Sequence, residues 1–281
     1  MKNKNCLITG ATSGIGEATA LELAKKGANI FFIARSEEKA KLLKKNIFKE
    51  TGKESVYFIA DLACQDQIKR IASEFLELNI PLHVLLNNAG IINLERKETE
   101  DGFEEVFSVN HLAYHTLSLL LLKKLAESSP SRIVNVSSGA HAFVKDIDLD
   151  DLQSKKAFKA MNVYGRSKLA NILFTRELSR KVFKKGITVN CLHPGFVATN
   201  FGTQNESFWG RLAMKIVSPL ARKSLRGASS SIYLCSSDEV SDVSGQYFYD
   251  CKIGKLTSAA SNDETAKKLW DLTEQLTGVA L

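Results

Sequence analysis

The chain has 281 residues, of which 44% are hydrophobic and 25% are charged, and its formal net charge is +7. This balance is typical of a globular protein with enough apolar residues for a large core. The basic residues are scattered through stretches such as "KAKLLKKN" and "RKVFKK", as on solvated helix faces, so no nucleic-acid partner is predicted.

Apolar runs that predict strands alternate along the chain with helical patterns. The predicted strands are "NCLITG", "ANIFFIAR", "SVYFIADL", "LHVLLNNAG", "SRIVNVSS", "ITVNCLHPG" and "SGQYFYD". A first helix is predicted to end near Gly27, and a second to begin with Ser36 as its N-cap. Continuously apolar strands between helices predict an α/β fold, a doubly wound, mostly parallel sheet with helices on both faces. One domain is expected, because no linker-like stretch interrupts the pattern.

A glycine-rich loop, "TGATSGIG", follows the first strand and opens the first helix. Gly10 would permit the tight turn, while Gly14 and Gly16 would let backbone and helix approach a phosphate. Ordinary turn chemistry is the alternative, but the strand–loop–helix context favours a dinucleotide site.

The end of the second strand predicts which dinucleotide is bound. Sites for NAD place an acidic residue there, but this chain has Arg35 followed by Ser36. An arginine fits the 2′-phosphate of NADP(H) through charge-assisted hydrogen bonds. NADP(H) is therefore expected over NAD(H), with a solvated arginine at the strand end as the alternative.

The stretch "YGRSK" places Tyr164 four residues before Lys168 on a predicted helix. Residues at this spacing lie on the same helix face. An exposed pair would do little, whereas a shielded pair could carry out acid–base chemistry.

These motifs resemble the short-chain dehydrogenase/reductase family, whose fold is the Rossmann fold. Further resemblance lies in "DL" at Asp61–Leu62, "NNAG", "VN", "NVSS" and "HPGFVAT", all in the family's order. Within the family the chain is similar to the retinol dehydrogenase-like branch, as "RIVNVSSGAH" and "YGRSKLANILFTREL" indicate. The 26 positions from Ser138 to Tyr164 also suit that branch.

The resemblance implies a catalytic set of Asn110, Ser138, Tyr164 and Lys168, with Ser138 preferred over Ser137. It also implies residues that contact the cofactor. They are Gly10, Thr12, Ser13, Gly14, Ile15, Gly16, Arg35, Asp61, Leu62, Asn88, Ala89, Gly90, Tyr164, Lys168, Pro194, Gly195, Val197 and Thr199. Helix capping is the alternative for Asn110 and Asp61, and a simple loop is the alternative for "NNAG".

The expected reaction transfers hydride between the cofactor and a carbonyl or hydroxyl group. Tyr164 is expected to act as the general acid or base, Ser138 to hold the substrate oxygen, and Asn110 to help hold a water that relays protons to Lys168. A free tyrosine has a pKa near 10, and we expect Lys168, the oxidised nicotinamide and low solvent access to lower it. His111, His115, His141 and His193 lack metal-ligand grouping and are expected to be structural, so no metal is predicted.

Residues 200–226 are expected to form a substrate lid. A helical projection of "SFWGRLAMKIVSPLARKS" puts apolar residues on one side and Arg211, Lys215 and Arg222 on the other. A lid over an apolar aldehyde, ketone or alcohol is favoured, with docking on a membrane surface and plain core packing as alternatives. The apolar side gathers Trp209, Leu212, Ala213, Ile216, Val217 and Leu220.

The apolar stretch "HLAYHTLSLLLLKKLAES" predicts a helix. In the family this helix, with the one that carries Tyr164, often forms a dimer interface, so a homodimer is one expectation. A buried core helix explains the leucines equally well.

Two functions compete with an NADP(H)-dependent carbonyl reductase or retinol dehydrogenase-like enzyme. A non-catalytic NADP(H)-binding sensor or scaffold would not need the tyrosine, and a sugar-nucleotide epimerase would have a differently spaced glycine loop.

Five cysteines without paired spacing predict reduced thiols in a cytoplasmic protein. We expect neither a signal peptide nor a transmembrane helix, since the N-terminus runs into a strand and no apolar run approaches ~20 residues.

Overall fold

The computed structural model describes residues 1–195 and 224–281. Eight strands are found in these ranges: β1 (Asn5–Thr9), β2 (Asn29–Ala34), β3 (Val56–Ile59), β4 (Val84–Asn87), β5 (Ser131–Val136), β6 (Ile187–His193), β7 (Tyr247–Tyr249) and β8 (Lys252–Ile253). They form one sheet in the order β3-β2-β1-β4-β5-β6-β7-β8. Every pairing is parallel except that between β7 and β8, which confirms the predicted doubly wound sheet.

Helices connect the strands and cover both faces of the sheet. The α-helices are α1 (Gly14–Lys25), α2 (Glu37–Thr51), α3 (Gln65–Glu77), α4 (Glu105–Phe107), α5 (Ala113–Leu120), α6 (Leu122–Glu127), α7 (Ala160–Lys181), α8 (Ser224–Ser236) and α9 (Asp263–Thr277). A π-turn spans Ser108–Leu112, and 3₁₀ turns span Gly139–Phe143, Leu149–Asp151 and Asp238–Val240. Ser36 caps α2 as predicted, since its hydroxyl accepts a hydrogen bond from Lys39 N.

The core has two layers, because side chains of a strand alternate between the faces of the sheet. On β1, Leu7 packs on the side that holds Phe75 of α3 and Phe174 of α7. Its neighbour Ile8 packs on the opposite side, with Leu23 of α1. Both sides are apolar, which is why the strands appear in the sequence as continuous hydrophobic runs.

The parallel arrangement brings the carboxyl ends of the central strands to one edge of the sheet. β1 has β2 on one side and β4 on the other, so the strand order reverses between β1 and β4. In doubly wound sheets, ligands bind in the crevice at such a switch point. The structure therefore places the glycine loop after β1 next to the "NNAG" segment after β4.

Two details differ from the sequence prediction. The long apolar helix is interrupted by the π-turn at its start and by a break at Leu121. Strand β8 was missed because its hairpin turn uses Asp250 and Cys251, both with positive φ, where Asn-Gly or Asp-Gly would have signalled a turn. None of the helices in the described ranges has the length and apolar character needed to cross a membrane.

Candidate active site

The glycine loop is closed by side chains and backbone of the "NNAG" segment. Thr9 Oγ1 accepts hydrogen bonds from the backbone N–H groups of Asn88 and Ala89, at 2.9 and 3.0 Å. Asn88 Nδ2 in turn donates to the carbonyl oxygens of Thr9 and Gly10, at 2.9 and 3.0 Å. These four bonds join the carboxyl ends of β1 and β4 at the switch point.

Two glycines of the loop are required by this close approach. Gly10 has φ of +64°, and a Cβ there would lie 2.8 Å from Ala89 Cα. A Cβ at Gly16 would collide with the Gly10 carbonyl oxygen and with Asn88 Nδ2. The loop can therefore fold tightly over the start of α1 only with glycine at both positions, which fits the predicted phosphate cradle.

The N-terminus of α1 fits an anion. Its N-cap, Ser13, makes no side-chain capping bond, so its side chain does not occupy the first N–H groups of the helix. Free N–H groups and the helix dipole together favour a phosphate at this position. Thr12, Gly14 and Ile15 lie in the same loop and first turn, none of them fully buried.

Residues predicted to contact the adenosine end lie after β2 and β3. Arg35 directly follows β2 and is exposed. Asp61 Oδ1 accepts a 2.9 Å bond from Ala63 N, and Asp61 N donates to Gln67 Oε1 at 2.9 Å. The carboxylate thus stabilises the turn before α3 rather than capping the helix, whose N-cap is Cys64. Leu62 is buried beneath this turn.

The predicted catalytic serine and tyrosine meet at the end of β5. Ser138 and Tyr164 form a side-chain hydrogen bond. Ser138 also begins a 3₁₀ turn, its hydroxyl accepting from Ala140 N at 3.1 Å. The neighbouring Ser137 is buried and donates to the Lys168 carbonyl at 2.7 Å, so it supports the helix and does not face Tyr164.

Lys168 lies on the same face of α7 as Tyr164 and is almost completely buried. Its Nζ donates to the carbonyl oxygen of Val136 at 3.1 Å and lies 5.8 Å from the centre of the Tyr164 ring. Burial lowers the pKa of Lys168 from 10.5 to about 7. Of the predicted pair, Lys168 is thus shielded from solvent, while Tyr164 is partly buried.

One expectation about Tyr164 is wrong. Low solvent access does not lower the pKa of this phenol: burial raises the pKa to about 12, and the hydrogen bond with Ser138 opposes only part of that rise. Burial disfavours the charged phenolate. In the protein without cofactor, Tyr164 is consequently a protonated phenol, suited to donating a proton.

Asn110 lies in the π-turn and is fully buried. Its Oδ1 accepts from Ile91 N at 2.8 Å, and its Nδ2 donates to Ile91 O at 3.0 Å and to Ser167 Oγ at 2.9 Å. The side chain therefore joins the segment after β4 to helix α7. Gly90 lies between them, since a Cβ there would be 3.2 Å from Lys168 Nζ.

The segment after β6 is described as far as Gly195. Gly195 has φ of +77°, and its N–H donates to His193 Nδ1 at 3.1 Å. Pro194 lies between them, beyond the carboxyl end of β6 and in line with the other motifs. Val197, Thr199 and residues 200–223 of the predicted lid lie outside the described residues, and residues 224–226 form the start of α8.

The histidines make structural contacts, as predicted. His111 Nε2 lies 3.2 Å from Thr273 Oγ1, and His115 Nδ1 lies 3.5 Å from Thr277 Oγ1, so both contact α9. His141 Nδ1 lies 2.7 Å from the Ser138 carbonyl oxygen. In the ranges that the structure covers, no group of three or more possible metal ligands is present.

Tyr114 is a site residue that the sequence reasoning missed. It is fully buried one helical turn after Asn110, and its phenol donates to the Ala89 carbonyl at 2.8 Å. Its ring also lies beneath Lys168 Nζ, 5.6 Å from the ring centre. The i, i+4 spacing from Asn110 was the signal that could have identified it.

This combination of a switch-point glycine loop with a serine, tyrosine and lysine at the neighbouring strand end defines a nicotinamide-dependent oxidoreductase of the Rossmann type. Comparison with known proteins agrees, since residues 4–208 match the family model described as short chain dehydrogenase. The chain belongs to that family and to its retinol dehydrogenase-like branch.

Similar proteins include human retinol dehydrogenase 14, which is 42% identical over 99% of this chain and 88% of its own. Retinol dehydrogenase 12 of Mus musculus is 39% identical over 98% of this chain and 87% of its own. Among solved structures, an uncharacterised protein from Mycobacterium paratuberculosis has a TM-score of 0.80 at 29% identity, covering 100% of this chain and 96% of that one.

A further solved structure is that of a protein provisionally named as an NAD(P)-dependent gluconate 5-dehydrogenase, from Beutenbergia cavernae, with NADP bound at low occupancy. Its TM-score is 0.69 at 27% identity, over 89% of this chain and 96% of that one.

Proposed function

We propose that this protein is an NADP(H)-dependent oxidoreductase that interconverts a carbonyl and a hydroxyl group on a small, apolar substrate. The observation that carries the proposal is the hydrogen-bonded Ser138–Tyr164 pair with the buried Lys168 on the same helix face. A binding protein without chemistry would have no need to hold a phenol and a serine hydroxyl together in this crevice.

In the reducing direction, Tyr164 donates its proton to the substrate oxygen while Ser138 holds that oxygen by a hydrogen bond. The hydride for the carbonyl carbon would come from NADPH when it is bound. The high pKa of Tyr164 keeps the phenol protonated until the substrate oxygen gains negative charge. Lys168 then stabilises the phenolate that is left, because its ammonium group lies on the same helix face.

Several residues would hold the cofactor. Gly10, Gly16 and the N-terminus of α1 accommodate the phosphates, and Gly90 and Gly195 let the backbone approach the nicotinamide end. Lys168 Nζ has donors left beyond its bond to Val136 and would bind ribose hydroxyls. Asp61 and Leu62 would flank the adenine, and Val197 and Thr199 would complete the nicotinamide side.

The preference for NADP(H) is supported by Arg35. It is exposed at the end of β2, where a 2′-phosphate would lie, and the chain has no acidic residue at that position. The structure named after gluconate 5-dehydrogenase also carries NADP.

An apolar substrate is supported by residues that flank the catalytic pair. Phe143, five residues after Ser138, is 74% exposed, and Met161, three residues before Tyr164, is 51% exposed. Large apolar side chains left exposed beside a catalytic crevice are suited to an apolar ligand. The relatives named retinol dehydrogenases support an alcohol or aldehyde of this kind, with residues 200–226 closing over it or contacting a membrane surface.

A reducing compartment such as the cytoplasm is proposed from the thiols. All five cysteines are free, and Cys6, Cys191 and Cys235 are buried. Burial raises the pKa of Cys6 and Cys191 to about 12, so these thiols are unreactive core residues.

The function is tested by following NADPH oxidation with retinal and a panel of apolar aldehydes and ketones. We expect the wild type to turn over at least one of them. Tyr164→Phe should lose activity by about 10²- to 10⁴-fold, because general acid catalysis contributes on that order. It should still bind NADPH.

Tyr233→Phe serves as the matched control, since it removes a phenol hydroxyl that donates to Glu239 at the exposed surface. Wild-type NADPH binding without turnover of any carbonyl or alcohol would instead favour the sensor or scaffold function. Equal activity in Tyr164→Phe would contradict the mechanism.

A further inference from the structure

Tyr114 is a buried tyrosine whose hydroxyl already donates a hydrogen bond within the protein. Its phenol donates to the Ala89 carbonyl oxygen at 2.8 Å. Burial, and then the nearby Tyr164, raise the pKa of Tyr114 well above its ordinary value, so the group stays neutral. Tyr114 is therefore not a second acid for the reaction, although it lies beside the catalytic lysine.

The carbonyl that Tyr114 holds belongs to the segment facing the cofactor crevice. Ala89 N donates to Thr9 Oγ1, and Ala89 Cα lies against Gly10 of the phosphate loop. Two residues later, Ile91 is held through both its backbone polar groups by Asn110. Tyr114 and Asn110, one turn apart, thus fix the two ends of the segment Ala89–Ile91 from the same helical stretch.

The middle of this segment lies close to Lys168. A Cβ at Gly90 would lie 3.2 Å from Lys168 Nζ. The same ammonium lies 5.6 Å from the centre of the Tyr114 ring, within the range of a cation–π contact. Tyr114 therefore contacts the cofactor-facing segment with its hydroxyl and the catalytic lysine with its ring.

We propose that Tyr114 is a positioning residue for the cofactor: its hydroxyl fixes Ala89–Ile91 in the crevice, and its ring holds the Lys168 ammonium against that segment. This proposal rests on the proposed function, because it assigns the crevice to NADP(H).

The decisive variant is Tyr114→Phe, which keeps the ring and removes the hydroxyl. We expect the Kd for NADPH, measured by fluorescence titration of the full-length protein, to rise by about 5- to 10-fold. The value of kcat should change less than twofold, because Lys168 and Tyr164 keep their surroundings. Tyr114→Leu, which also removes the ring, should in addition lower kcat.

A purely structural role predicts a different result. It would lower the melting temperature of the cofactor-free protein and leave the Kd for NADPH unchanged. The positioning role predicts that the extra stabilisation produced by saturating NADPH is smaller in Tyr114→Phe than in the wild type. Tyr233→Phe, which loses the hydrogen bond from the phenol on α8 to Glu239 in the following 3₁₀ turn, should show neither change.

The outcomes separate the two proposals. If the wild type does not bind NADPH, the proposed function fails. If the wild type binds and oxidises NADPH and Tyr114→Phe binds it equally tightly, only the role of Tyr114 is overturned. Should Tyr114→Leu fail to fold, the hydroxyl is still tested by Tyr114→Phe alone.

Discussion

Lys168 is almost completely buried, and its neighbours offset only part of the free-energy cost of removing its charge from water. A carbonyl oxygen and two aromatic rings face its Nζ, and among the described residues no carboxylate forms an ion pair with it. Its pKa of about 7 means that the charged form is disfavoured by burial. Lys168 is therefore expected to destabilise the protein without cofactor.

We expect Lys168→Met to abolish turnover and to raise the free energy of unfolding of the cofactor-free protein by about 1–4 kcal/mol at pH 7. The lysine is ionised in both states below pH 7, and only in the unfolded state between about pH 7 and 10.5. Wild-type stability should thus rise with pH across this window relative to Lys168→Met.

The measurement is urea unfolding of both proteins at pH 6, 7 and 9.5. The amount by which Lys168→Met exceeds the wild type in unfolding free energy should be largest at pH 6 and smallest at pH 9.5. A methionine variant that is less stable at pH 6 would show that the buried ammonium stabilises the fold.

We expect the choice between NADP(H) and NAD(H) to depend on Arg35. Arg35→Glu should weaken NADPH binding by about 10- to 100-fold, because a charge-assisted bond is lost, and should weaken NADH binding much less. The two Kd values are compared by fluorescence titration. Lys49→Glu makes the same charge change at the far, exposed end of α2, and it should leave the ratio of the Kd values for NADPH and NADH unaltered. A wild type that binds NADH as tightly as NADPH would contradict the role of Arg35.

At the scale of elements, the π-turn and α5 pack two neutral histidines against α7 and α9. His111 has its pKa lowered to about 4 and His115 to about 3, in both cases mainly by burial. In the unfolded chain both would titrate near pH 6.5. Their stabilising contribution is complete above pH 6.5 and is lost as pH falls towards 4, since the unfolded state then binds more protons.

We expect the free energy of unfolding to fall by up to about 1.4 kcal/mol per pH unit for each histidine below pH 6. His115→Phe removes one of the two titrating groups, so it should reduce this dependence of the unfolding free energy on pH by up to about 1.4 kcal/mol per pH unit. Phenylalanine suits the site because His115 already packs edge-on against Trp270, with ring centres 5.3 Å apart. Urea unfolding of the wild type and His115→Phe between pH 4.5 and 8 tests this, and the two proteins should be nearly equally stable at pH 8. If both show the same dependence of the unfolding free energy on pH, the lowered pKa of His115 is contradicted.

The elements that could be predicted from the sequence are those with a local signal. Strand β1 with its glycine loop, and helix α2 with Ser36 at its start, are specified by residues next to each other in the chain. The contact of Tyr114 with Ala89 joins residues 25 positions apart, and that of His111 with Thr273 joins residues 162 apart. Such pairings depend on how helices pack: the spacing of Tyr114 from Asn110 indicates a shared helix face, but it does not indicate which distant residue that face contacts.

At the scale of the molecule, α9 packs against α7, the helix that carries the proposed catalytic residues Tyr164 and Lys168. Trp270 stacks on Phe174 of α7, with ring centres 5.8 Å apart and planes 15° apart. Asp263 receives hydrogen bonds from Arg176 and Arg180, at 2.7 and 2.8 Å. Together with the sheet and the neighbouring helices, α9 leaves every residue of α7 from 167 to 175 buried within one chain.

This covering bears on the homodimer expected from the family. A dimer through α5 and α7 needs an exposed face on each helix, yet Ala113–Leu119 of α5 is also buried. We therefore expect a monomer of 31.0 kDa by light scattering after size-exclusion chromatography at micromolar concentration.

Trp270→Ala should remove the stacking and lower the free energy of unfolding by about 3–5 kcal/mol. It should also speed amide exchange in α7 more than in α2, which α9 does not cover. A wild-type dimer whose formation protects α7 from exchange would show that α9 moves aside in solution.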